Sequence, residues 1–175
     1  MAKNIHDFLS RCGIGNKSHR DEEYKRLSWD EYFMSLSHMV ARRSHDSQTQ
    51  HGCVIVDENN RIVSTGCNGF PSNGPDKDMP NTRPLKYPFM VHAELNAILS
   101  SKQDLSGCRM YITGDPCNPC FLHLITAGIR DVIVGRLGHV KSEDWESVHE
   151  TLKHLYKVNV RKFKGCILLA EIEYD

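Results

Sequence analysis

The chain has 175 residues, the size of one ordinary domain, with 39% hydrophobic and 25% charged residues, a soluble composition able to bury a core without disulfides. Its 22 Lys and Arg balance 22 Asp and Glu, so it lacks the basic excess with which proteins grip a nucleic acid backbone, and no long DNA or RNA partner is expected. No stretch has the apolar length of a membrane span, and the opening MAKNIHDFLSRCGIG has no apolar signal core; a cytosolic protein is expected, its seven cysteines free thiols or metal ligands.

Residues 1–27 are polar and weakly periodic. They read as an N-terminal extension, with a short helix expected over 4–12, ahead of a single domain over 28–175. Ser28, followed three residues later by Glu31, has the form of a capping box. It opens a helix over 29–43, in which Tyr32, Leu36, Met39 and Val40 recur at helical spacing and Arg42 and Arg43 suit the C-terminal dipole. Two β-branched runs flanking Asp57-Glu58-Asn59-Asn60 predict a β-hairpin. The stretch 69–88 is dense in Pro, Gly, Asn and Asp and predicts a long irregular loop, a class of loop that is usually functional.

A second helix is expected over 91–101, just after Pro88, and a strand over 109–113. A third helix spans 117–128, stopped by Gly128, and a strand 131–135. A fourth helix spans 142–158 with Ser142 as candidate N-cap. Short strands are expected within 159–165 and 166–175. This alternation predicts an α/β protein, a mixed sheet of about five strands with helices packed on it. No internal repeat or low-complexity tract is present.

Chemistry concentrates in two stretches, VHAELNAIL at 91–99 and DPCNPC at 115–120. A lone histidine in an apolar helix is commonly a hydrogen-bonded core residue, and Glu94 alone could lie on a solvated face. The neighbours Val91, Ala93, Leu95, Ala97, Ile98 and Leu99 leave little polar face, however, and a buried carboxylate is costly without compensation. Cys117 and Cys120 are spaced so that two thiolates from one turn reach one metal. Alone, such a pair is equally a redox couple or half of a structural zinc site. Taken with His92, it offers three ligands and leaves a fourth tetrahedral position open, the arrangement of catalytic zinc. The helix and strand between His92 and Cys117 form a crossover long enough to set two helix N-termini side by side.

The two motifs together match the signature of zinc-dependent nucleobase deaminases. With SWDEYFM at 28–34, NGFP at 68–71 and RPLKYPFMVHAELNAIL at 83–99, the chain from about residue 27 to about 135 resembles the deoxycytidylate (dCMP) deaminases of the cytidine deaminase superfamily. That resemblance implies a three-layer α/β/α sandwich, and zinc held by His92, Cys117 and Cys120. It implies hydrolysis of dCMP to dUMP and ammonia with Glu94 as proton shuttle. It also implies substrate contacts from Ala93 and from Asn68, whose alternative is a turn residue. A homo-oligomer, a hexamer or dimer, and control by dCTP and dTTP complete what it implies. Other readings are the same chemistry on CMP, dCTP, cytidine, a pterin or flavin precursor or a tRNA adenosine, and a catalytically silent nucleotide-binding protein. A carboxylate at Glu94 argues against the last, since a structural zinc site has no use for it.

Ser47 and Thr49, in the loop joining the first helix to the first strand, are candidates for phosphate contact, with Arg42 or Arg43 supplying charge; the alternative is an ordinary solvated loop. His51 and Cys53 stand where the family usually has Val and Ala beside the base, which suggests altered tolerance for 5-substituted dCMP. The alternative makes Cys53 a core residue and His51 a surface one. The loop after Pro71 lacks the family's Gly-Cys and acidic run, which puts effector control in question. His45, His51, Cys53 and Cys67 raise a second zinc site as a minor alternative; Cys12, Cys108 and Cys166 are assigned nothing.

Overall fold

The first helix, α1 (Trp29–Ala41), begins as its capping box dictates. The Ser28 hydroxyl accepts the Glu31 N–H at 3.2 Å while the Glu31 carboxylate accepts the Ser28 N–H at 2.9 Å. The computed structural model describes residues 26–72, 74–137 and 143–169, with side chains 136, 137, 143 and 144 left aside. The helix expected over 4–12 and the Ser142 cap lie outside these residues. The remaining elements are β1 (Gly52–Val56), β2 (Ile62–Cys67), α2 (Ala93–Ser100), β3 (Arg109–Gly114), α3 (Asn118–Thr126), β4 (Asp131–Leu137), α4 (Glu143–Tyr156) and β5 (Asn159–Lys162).

The strands form one mixed sheet in the order β2-β1-β3-β4-β5. β1 runs antiparallel to both β2 and β3, whereas β3, β4 and β5 run parallel. The hairpin is local. Its turn is closed by the Asp57 carboxylate, which accepts the N–H groups of Asn59 and Arg61, with Asn60 at φ 62°. The parallel strands are joined by α3 and α4, as parallel pairing requires.

Alternation along the central strands separates two cores. Cys53, Ile55, Met110, Ile112, Val132 and Val134 face α2 and α3, packing with Ala93, Ala97, Phe121, Leu124 and, from α4, Leu152. Val54, Val56, Tyr111 and Ile133 face α1, packing with Phe33 and Met34. The sheet is thus covered on both faces, giving three layers. Gly52 permits α1 to lie close: a Cβ there would sit 2.0 Å from the Ser37 carbonyl oxygen.

Three expectations need correction. Of the α1 stripe read from Tyr32, Leu36, Met39 and Val40, Leu36 and Val40 pack against the core while Tyr32 and Met39 are exposed; the helix buries Phe33, Met34, Ser37 and Ala41 more deeply, because Gly52 draws the Ser37–Ala41 face onto the strand. Leu99 of α2 is likewise exposed. The strand expected within 166–175 is absent over 166–169, and 170–175 lie outside the described residues. Residues 166–169 run along α1, where the Leu168 N–H donates to the Ser35 hydroxyl at 2.9 Å. The loop 69–88 is irregular except for single turns of 3-10 helix at Asp76–Asp78 and Tyr87–Phe89.

Candidate active site

Two helix N-termini meet at one point. His92 is the N-cap residue of α2 and Cys117 that of α3, both in extended conformation, and Cys120 lies in the first turn of α3. Pro119, which has no N–H to satisfy, fits the early helix position between the cysteines. The His92 Nδ1 lies 3.2 Å from Cys117 Sγ and 3.5 Å from Cys120 Sγ. Among the described residues, these are the ones that group as metal donors, all within 4.8 Å of one another.

The donor set fits zinc. Ideal bonds at a tetrahedral angle place sulfur and imidazole donors about 3.6 Å apart, close to the separations found. The thiols are prepared for it as well. Cys117 is pushed down to about 4 by the hydrogen bond from the Cys120 thiol, then by those from His92 and the Cys120 N–H. Cys120 is pushed up because that neighbouring thiolate holds its proton. The three donors thus crowd together beside the partial positive charge of two helix ends, where a cation would replace the protons that now hold them.

Glu94 is 3% exposed, and burial pushes its carboxyl up to about 7. Its Oε1 is buried without a hydrogen-bond partner. An orphaned carboxylate oxygen in a native site calls for a missing partner, and here it is two residues from His92 with its charge felt by Cys53 and Cys120. Ala93 between them is fully buried.

A second cluster adjoins the first through one β-bridge, Gly69 pairing with Val91 at 3.0 and 2.7 Å. Here Asn68 is buried; its Oδ1 accepts the His51 N–H at 2.7 Å, and its Nδ2 donates to the Thr49 carbonyl at 2.9 Å and Asp46 Oδ2 at 3.3 Å. Asp46 Oδ1 accepts the Gln48 and Thr49 N–H groups and the Lys86 ammonium, the last at 2.5 Å. The exposed Arg83 reaches the Thr49 hydroxyl, and its N–H donates to the Gln48 side chain. Ser47 is exposed on this loop.

His51 is buried, not a surface residue, with its ring 3.2 Å from the Thr113 hydroxyl at the end of β3. Cys53 is a core residue. Among the described residues, His45, His51, Cys53 and Cys67 do not form a second metal cluster; the His45 ring packs at a tilt against Phe70, centroids 4.5 Å apart. Sequence reasoning missed Asp46 and Thr113, and it met Lys86 only as part of Lys-Tyr-Pro. The one signal available was the polar run HDSQTQ at 45–50, which holds Asp46 beside Ser47 and Thr49.

A family model described as the cytidine and deoxycytidylate deaminase zinc-binding region matches residues 27–136. Human deoxycytidylate deaminase is 43% identical over 156 residues, covering 85% of this chain and 87% of that protein. The mouse deoxycytidylate deaminase is 38% identical over 156 residues with the same coverage, 85% and 87%. Among solved structures, the dCMP deaminase of cyanophage S-TIM5 in complex with dCMP and dUMP matches at TM-score 0.62 and 22% identity, over 80% of this chain and 100% of that one. It shares the fold.

Proposed function

Because the chain belongs to the cytidine and deoxycytidylate deaminase family, we propose that His92, Cys117 and Cys120 hold zinc and that Glu94 shuttles the protons of a dCMP deamination giving dUMP and ammonia. The observation that carries this is the buried, unpartnered Glu94 Oε1 beside the donor group.

Zinc at these donors supplies Lewis acidity and brings the pKa of a water toward neutrality. Glu94 does the rest. Its Oε1 accepts a proton from the attacking water and passes it to the ring nitrogen adjoining the amino-bearing carbon. Glu94 then takes the proton of the newly added hydroxyl and passes it to the amino group, so the C–N bond breaks, ammonia leaves and a carbonyl remains. Burial by itself raises this carboxyl to about 7; a cation beside it opposes that rise and favours the carboxylate form that accepts the water's proton. Burial also excludes competing water.

Ala93 at the first helical position and the wall of Asn68, Thr49 and Ser47 are proposed to receive the nucleotide. Family membership supports a deaminase domain over 28–175 with 1–27 as an extension; control by dCTP and dTTP is proposed with it, against which stands the loop after Pro71, without the family's Gly-Cys and acidic run. Exposed Trp29, Tyr32 and Met39 on α1 and Leu85, Tyr87 and Phe89 on the long loop support a homo-oligomer, a hexamer or dimer. No helix of the described residues is long and apolar enough to cross a membrane; a cytosolic location is proposed. Cys53, close enough to Glu94 to feel its charge, and buried His51 support an altered response to 5-substituted dCMP.

The test is ammonia release from dCMP, CMP, dCTP, deoxycytidine and 5-methyl-dCMP, beside Glu94→Gln, with bound zinc quantified in both proteins. dCMP turnover is expected to fall about a thousandfold in the variant with zinc retained. A zinc-loaded wild type that leaves dCMP untouched, with or without dCTP, overturns the reading. His51→Val in the same panel tests the 5-substituent: an unchanged ratio of 5-methyl-dCMP to dCMP turnover refutes it.

A further inference from the structure

Lys86 is 2% exposed, although lysine is almost never fully buried unless paired. Its ammonium lies 2.5 Å from Asp46 Oδ1, and Asp46 is equally buried. Such a pair adds little stability over apolar side chains of the same volume, so its presence asks for another account.

The bonds of Asp46 provide one. Through Oδ1 it gathers the Gln48 and Thr49 N–H groups at 2.8 and 3.1 Å, and through Oδ2 it takes the Asn68 Nδ2 at 3.3 Å. The other end of that amide is held by the His51 N–H. The Asn68 side chain therefore has one orientation, set at one end by a carboxylate that Lys86 neutralises. Asn68 precedes Gly69, which is bridged to Val91, next to the donor His92. The pair thus joins the loop over 44–51, the end of β2 and the long loop carrying Lys86 into one wall beside the metal corner.

We infer that Asp46 and Lys86 are a positioning pair for an anionic nucleotide: Asp46 fixes the Asn68 amide and the 44–51 loop, and Lys86 cancels a charge that would repel the phosphate. This rests on the deaminase reading. A bare carboxylate in that wall meets a phosphomonoester as like charge against like in a poorly screened setting, and like charges there cost binding heavily. Neither residue touches the reacting atoms, so the pair acts on nucleotide binding more than on bond breaking.

Steady-state kinetics on dCMP test this with Lys86→Met, Lys86→Arg, Asp46→Asn and the neutral double variant Asp46→Asn/Lys86→Met, each with zinc content and a melting temperature. Lys86→Met, which bares the carboxylate, is expected to raise KM about tenfold to a hundredfold, more than kcat falls; Asp46→Asn, which frees the Asn68 amide without adding a negative charge, should raise it less, both with zinc retained. Lys86→Arg should recover part of the loss. The double variant, which leaves no uncompensated charge, should regain melting temperature and lose the part of the KM rise due to repulsion, but keep the part seen in Asp46→Asn, since the Asn68 amide is no longer held by a carboxylate. A KM that returns fully with the melting temperature makes the pair structural only and overturns the inference, as does a wild-type KM in the folded singles. Absence of wild-type turnover would sink the deaminase reading and this one together, whereas wild-type turnover with unmoved KM sinks this one alone.

Discussion

The corner at His92, Glu94, Cys117 and Cys120 and the wall at 44–51 and 68 are neighbours, linked by the Gly69–Val91 bridge, yet their polar atoms are treated oppositely. In the wall, Asn68 and Asp46 have both ends of their side chains engaged by protein partners. In the corner, thiols crowd one imidazole nitrogen and a carboxylate oxygen is buried with no partner at all. Satisfied groups hold a shape, and groups left wanting are where a cation, a water and a proton can act. The supports differ too. The corner rests on helix starts packed against the sheet, and the wall is made of loop fastened by side chains.

The largest effect comes from emptying the corner. Cys117→Ser should lower zinc affinity more than about a hundredfold, since losses of that size follow even from disturbing residues behind the ligands; activity should go with the metal, while far-ultraviolet dichroism stays native. Metal analysis after dialysis checks this, and retained stoichiometric zinc would break the distinction between the regions. A subtler change moves the corner without touching it. Gly66 lies under α2, where a Cβ would sit 2.3 Å from the Ala97 nitrogen and 2.4 Å from the Ala93 carbonyl oxygen. Both are backbone, so in Gly66→Ala the helix must shift. Stability should fall by about 1–3 kcal/mol, and kcat should fall further than that loss explains, because Glu94 rides on the helix; displacement by about 1 Å can cost a hundredfold. Urea melts beside kcat decide it.

The smallest effect is on the opposite face, as a contrast to both regions. Asp30 accepts the Tyr111 hydroxyl at 2.8 Å and pairs with Arg161 at 2.7 Å. The Arg161 hydrogen bond, then that from Tyr111, holds its carboxyl below the usual 3.8. A carboxyl lowered in the folded state stabilises fully above its unfolded pKa. That contribution is lost as pH falls below about 3.8 toward the folded value. Asp30→Asn should cost up to roughly 1 kcal/mol at pH 7, the pair being partly exposed, and show a shallower loss of stability toward pH 3. Denaturant melts at the two pH values measure it, and kcat and KM for dCMP should not move.

The corner was legible in the sequence because its residues are short-range: His92 and Glu94 share one turn, as do Cys117 and Cys120, and metal chemistry restricts which residue types serve. The capping box at Ser28 and the hairpin around Asp57 were legible for the same reason, since each is closed by bonds within five residues. The wall was not. Asp46 and Lys86 are 40 residues apart in the chain, and each alone looks like a solvated loop charge. Tyr32 and Met39 misled because helical spacing defines a stripe but not which side of it meets the sheet. That choice was made by Gly52, through a contact across the layers. His51 was invisible as a buried residue because its partner, Thr113, arrives from a strand on the far side of the crossover.

The sheet ends on two unlike borders. β5 is four residues long and carries Arg161 and Lys162, charges that discourage another strand from adding. β2 runs for six residues as Ile-Val-Ser-Thr-Gly-Cys with no charge within it, and among the described residues it pairs along its length only with β1. Among the described residues, its outer row of amides and carbonyls is the sheet border with the least charge to turn away a foreign β-segment. Protection from self-association in a concentrated solution therefore falls to Arg61 at the head of that strand and to whatever lies alongside it.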